Sequence, residues 1–108
     1  MDTFIKLPHG GKGAGFYVSQ LIAHIRSTGR DYIIQGQQKC IRKRHTKPHS
    51  LDVWLRKEFP NRQDTKLADN QVVQALVDTE QFEEVDKLLC PDSGRRAKGL
   101  RLLNPSVF

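Results

Sequence analysis

Val72 to Leu103 reads VVQALVDTEQFEEVDKLLCPDSGRRAKGLRLL, and the interpretation of this stretch decides the fold. Val73, Leu76 and Val77 fall at the i, i+3, i+4 spacing of one helical face. Just before them, Asp69 or Asn70 stands where a cap residue accepts the first free backbone N–H groups. After Thr79 the pattern changes. Phe82, Val85, Leu88 and Leu89 still fit a helical period, so a fourth helix is one reading of residues 80–89. However, Pro91-Asp92-Ser93-Gly94 is turn chemistry, and residues 97–103 alternate loosely beyond it. A hairpin pairing 83–90 with 97–103 accounts for both halves, whereas a helix accounts only for the first. The hairpin is the preferred reading, with Arg95, Arg96 and Lys98 at its tip.

Two more helices are expected upstream. Ser50 is a good N-cap for a run in which Leu51, Trp54, Leu55 and Phe59 share a face, ended by Pro60-Asn61. On that register Trp54 packs inward and Arg56 and Lys57 leave on the outer face. Phe16 to Thr28 carries Val18, Leu21, Ile22 and Ile25 at i, i+3, i+4 and i+7, with Gly29 as a stop signal. His24 falls off the centre of that stripe, as a half-exposed helix residue. Between the two helices, Tyr32-Ile33-Ile34 is β-prone, residues 35–38 suit a turn, and 39–42 suit a returning strand. Thr3 to Leu7 suits a short strand. The glycine-rich connector that follows, residues 9–15, lacks the Gly-Lys-Ser/Thr ending of a phosphate loop and the later acid of a dinucleotide fingerprint. It reads as a flexible hinge or tail.

The chain has 108 residues, enough for one modest core and too few for two. The expected division is a flexible or short-strand segment over 1–15, a domain over 16–103 and a tail over 104–108. Its net charge of +6 is unevenly spread. Residues 39–57 hold seven cations against Asp52 alone, residues 64–86 hold seven carboxylates against Lys66, and residues 95–101 add four cations and no acid. Two basic blocks around an acidic one suit a protein that turns one face toward phosphates. Arg42, Lys43, Arg44 and Lys47 form a basic loop fit for phosphate contacts. Cys40, His45 and His49 imitate half a zinc site, but the only other thiol is Cys90, so neither a metal nor another cofactor is expected. The two cysteines read as reduced thiols. No apolar run approaches a membrane span and Met1 to Pro8 lacks a signal peptide's apolar centre, which places the protein in the cytoplasm or, if it binds DNA, on the nucleoid.

Three helices followed by a hairpin with a basic tip resemble the winged-helix class of the helix-turn-helix superfamily. The resemblance is one of architecture, covers about Phe16 to Leu103, and rests on element order and on Pro91-Asp92-Ser93-Gly94-Arg95-Arg96 at the hairpin tip. The fold it implies is α+β, a three-helix winged-helix-like domain with a C-terminal β-hairpin wing. It implies that the third helix enters the major groove, where Asn70, Gln71 and Gln74 would face bases, while Arg95, Arg96 and Lys98 grip phosphate. The expected function is double-stranded DNA binding without catalysis, of the kind a small transcriptional regulator performs. No carboxylate pair, nucleophile–base pair or metal set has a spacing that selects a reaction. The alternative is a protein-interaction module using the acidic region 78–86. Dimerisation and a protein partner are left open. RNA binding is disfavoured, because aromatic residues make up 7 % of the chain and most lie on apolar stripes.

Overall fold

The computed structural model describes residues 2–8, 10–36, 50–59, 67–89, 94 and 96–103. In chain order it holds β1 (Phe4–Lys6), β2 (Gly15–Tyr17), α1 (Val18–Ser27), β3 (Tyr32–Ile34), α2 (Leu51–Glu58), α3 (Asn70–Asp78), β4 (Phe82–Leu89) and β5 (Arg96–Leu102). The strands form two antiparallel sheets, β1-β2 and β3-β5-β4.

The helices follow their sequence signals. Val18, Leu21, Ile22 and Ile25 are all buried on α1. The Ser50 hydroxyl accepts the Val53 N–H at 3.1 Å and the Asp69 carboxylate accepts the Val72 N–H at 3.0 Å, so both anticipated N-caps are formed. Each satisfies a donor that the first helical turn leaves free. The preference for a hairpin over a fourth helix also holds. β4 and β5 pair from Phe82↔Leu102 to Leu89↔Arg96, with a bulge between Val85 and Leu88.

The amino-terminal residues are built into the core. Ile5 pairs with Phe16, and the Leu7 amide donates to the Ala14 carbonyl at 3.0 Å, closing the glycine-rich connector into a hairpin. Ile5, Leu7, Ala14 and Phe16 then lie in one cluster with α1, with Trp54 and Leu55 of α2, with Val72 and Leu76 of α3, and with Phe82, Leu100 and Leu102 of the larger sheet. Phe16 and Tyr17 are strand residues, so α1 starts at Val18, the first residue of its apolar stripe, and not at Phe16 as expected.

These observations correct the expected fold. The chain is α+β, with three helices and two antiparallel sheets among the described residues, and strands dominate its C-terminal half, where a helix-rich three-helix winged-helix-like domain with a two-stranded wing was anticipated. The physical cause is non-local pairing. Tyr32, Ile33 and Ile34 align with Arg101, Leu100 and Gly99, so β5 is the central strand of a three-stranded sheet. β3 pairs with the otherwise open edge of β5, and Leu100 and Leu102, on one face of the sheet, are buried against the helices.

Candidate nucleic-acid interface

The placement of α3 depends on a buried polar junction. Asp52, at 0 % exposure on α2, accepts the backbone N–H groups of Leu67 and Ala68 at 2.7 and 3.3 Å through one carboxylate oxygen. Its other oxygen lies 3.1 Å from Arg56 Nε one helical turn on. Gln35, at the end of β3, donates to the Ala68 carbonyl at 2.8 Å, and its own carbonyl receives the Asp52 amide at 3.1 Å. The left-handed Gly36 (φ 96°) permits this approach, because a Cβ there would stand 2.8 Å from Asp52 Cβ. The junction ties residues 67 and 68 to α2 and β3, immediately ahead of the Asp69 cap. Thus α3 begins at a point held from two other elements. Arg56 is buried here, which corrects its expected place on the outer face of α2; Lys57 is exposed as anticipated.

Asn70, Gln71 and Gln74 are all exposed on α3. Two of them already have partners. The Asn70 side-chain oxygen accepts from Gln35 Nε2 at 3.4 Å, and Gln74 Nε2 donates to the Asp78 carboxylate at 2.8 Å. Neither interaction uses all the donors and acceptors of an amide side chain. The helix itself carries no basic residue in its last turn and no acid in its first.

The cations of β5 divide between the two faces of the sheet. Side chains alternate along a strand, so Arg96 and Lys98 share a face with Leu100 and Leu102, which enter the core against α3. Arg96 and Lys98 lie past the edge of that core and are exposed. Arg96 Nη1 reaches the Lys87 carbonyl at 3.4 Å, and Lys98 Nζ sits 3.5 Å from Glu84 on the neighbouring strand. Arg101 points to the opposite face, 3.9 Å from both Asp31 and Glu83. All three carboxylates are substantially exposed, so each ion pair is worth at most about 1 kcal/mol and yields readily to a competing anion.

Of the residues expected to hold phosphate, Arg96 and Lys98 are thus brought to the side of the sheet that meets α3. Arg42, Lys43, Arg44, Lys47 and Arg95 lie outside the described residues, as do Cys40, His45, His49 and Cys90. Among the described residues no group of three or more His, Cys, Asp or Glu side chains is placed to hold a metal. No helix among them is long and apolar enough to cross a membrane. The roles of Asp52 and Gln35 were not foreseen. An Asp-x-x-x-Arg spacing within one helix is the one signal that points to the ion pair, and nothing local points to its backbone partners. Comparison with protein-family models, with curated proteins and with solved structures finds no match to this chain.

Proposed function

We propose that this protein binds double-stranded DNA, anchoring phosphates through Arg95, Arg96, Lys98 and the basic loop residues Arg42, Lys43, Arg44 and Lys47. In this reading Asn70, Gln71 and Gln74 of α3 meet base edges. Two observations support it: Arg96 and Lys98 leave β5 exposed at the edge of the core that α3 helps to close, and Asn70, Gln71 and Gln74 are exposed on α3 itself. Phosphate contacts position a protein on a duplex and amide side chains can read adenine bidentately, which is the division of labour these residues allow. A net charge of +6 and a pI near 9.6 support the same partner. On binding, a phosphate oxygen replaces Glu84 beside Lys98, an exchange made easy by the exposure of that pair. Regulation of transcription is the role a small, non-enzymatic binder of this kind would serve.

The test is a duplex-binding isotherm titrated with salt, for the wild type and for Arg95→Ala/Arg96→Ala. Each phosphate contact contributes about 0.9 to the slope of log K against log salt, so the variant loses affinity and about 1.8 of slope. Wild-type protein that fails to bind duplex at low salt overturns the reading. Retention of a basic partner protein on Glu80, Glu83, Glu84 and Asp86 would then establish the acidic region as the functional surface.

A further inference from the structure

The amino-terminal hairpin has an outer face that the fold does not use. Its inner face, Ile5, Leu7, Ala14 and Phe16, supplies the core. On the outer face Phe4 and Tyr17 stand directly opposite each other in register, edge to face with ring centroids 5.2 Å apart. They remain 47 % and 48 % exposed, the two most exposed large apolar side chains of the described residues. The surface side of a two-stranded ribbon is ordinarily polar, so paired aromatics in water call for a partner. Gly15 deepens the point: the Phe4 ring lies across it, since a Cβ at Gly15 would come within 2.4 Å of Phe4 Cζ.

Residues 4–17, which make up the hairpin, include two cations and no acid. Lys6 follows Phe4 two residues along the same strand face, and Lys12 projects from the hairpin connection; both are exposed, and neither has an ion-pair partner among the described residues. Asp2, the nearest carboxylate in sequence, is occupied: it accepts the Ser19 hydroxyl at 2.5 Å and the Ser19 amide at 3.0 Å at the start of α1, two residues from Tyr17. Exposed aromatic rings on a ribbon that also carries Lys6 and Lys12 suit a polymer with planar rings and an anionic phosphate at every repeat. Duplex DNA keeps its base faces stacked inside the helix and cannot offer them to the rings.

We infer that the outer face of the β1-β2 hairpin binds single-stranded nucleic acid, with unpaired bases stacking on Phe4 and Tyr17 and phosphates held by Lys6 and Lys12. This site is separate from the α3–β5 surface and does not rest on it. A protein holding both would grip a junction between paired and unpaired strands.

The test uses fluorescently labelled oligodeoxyuridine and oligouridine of about twelve nucleotides, within the range one small single-strand site covers, alongside a duplex. The full chain is compared with Phe4→Ala/Tyr17→Ala, Phe4→Leu/Tyr17→Leu and Lys6→Gln/Lys12→Gln. Removal of both rings is expected to weaken single-strand binding about a hundredfold, at about tenfold per stacked base, and to leave duplex affinity within about twofold. The leucine pair keeps apolar packing on the hairpin but has no π face, so it reports on stacking even where the alanine pair unfolds. The lysine pair is expected to lower the single-strand salt slope by about 1.4. Oligodeoxyuridine against oligouridine, which differ only in the 2′-hydroxyl, separates a DNA from an RNA preference. No binding of either oligonucleotide at low salt overturns the inference. So does an equal loss of single-strand and duplex affinity in the leucine pair, or unchanged single-strand affinity there. Arg96→Ala tests the duplex site alone, so either surface can fail without the other.

Discussion

Asp52→Ala should bring the protein close to unfolding. Asp52 is wholly buried, accepts two backbone amides and faces Arg56 Nε at 3.1 Å. Removing one member of a buried ion pair costs about 3–5 kcal/mol, because the other charge stays desolvated. Each amide left without an acceptor costs about 1–3 kcal/mol where water cannot reach it. These penalties overlap, since a relaxed cavity can admit water to both, so about 4 kcal/mol is expected in total. A domain of this size has only about 5–15 kcal/mol to lose. Asp52→Asn keeps an oxygen for Leu67 and Ala68 but turns an N–H donor toward Arg56 and leaves that buried charge unpaired, so it should recover only the part due to the backbone amides and still cost about 3 kcal/mol. Arg56→Met combined with Asp52→Ala removes both charges, so the double variant should lose less than the sum of the singles by at least about 1 kcal/mol. Trp54 is the reporter. It is the only tryptophan, lies on the same helix, and packs on the rings of Phe16 and His24. Urea titrations followed by its emission give the free energies, provided the slope with denaturant is unchanged. A cost below about 1 kcal/mol for Asp52→Ala refutes the argument that this junction holds the start of α3.

Glu84→Gln frees Lys98 and removes a negative charge beside the proposed phosphate contact; duplex affinity should rise about two- to fivefold at low salt, with the gain fading as salt is added, read by the salt-titrated duplex-binding isotherm. Glu80 sits just past the end of α3 at φ 65°, a left-handed conformation that favours glycine, so Glu80→Gly should stabilise the fold by about 1 kcal/mol in a thermal melt. Ser19 donates twice to the Asp2 carboxylate, its hydroxyl most strongly, and holds its pKa below the ordinary 3.8. The stabilisation is therefore present above that value and is lost as pH falls through the lower pKa of the folded state, so the acid limb of a melting-temperature profile should flatten in Asp2→Asn.

Much of the local structure was legible because local chemistry determines it. Ser50 and Asp69 are caps whose side chains reach the next turn, and the apolar spacing behind them needs no distant partner. Pro91 to Gly94 separated two runs that only a hairpin could use. What escaped was non-local. Tyr32 to Ile34 shows its strand character, but nothing in it indicates a partner at Gly99 to Arg101. β1 and β2 are three residues each, too short for alternation to stand out, and the glycines between them read as freedom when they in fact close a hairpin. Arg56 was misplaced for a related reason: helical periodicity sends charge outward unless a buried acid one turn away draws it in. The exposed pair Phe4 and Tyr17 escaped because exposure is settled by the fold, and an aromatic in a short strand gives no sign of which face it takes.

The most direct test of duplex recognition by the combined α3–β5 surface is the titration of an isotopically labelled sample with a short duplex, followed through backbone and side-chain amide resonances. The account predicts shifts concentrated at Asn70, Gln71, Gln74, Arg96 and Lys98, with the outer face of the β1-β2 hairpin unmoved. Shifts confined to Glu80 through Asp86, or none at low salt, would contradict it.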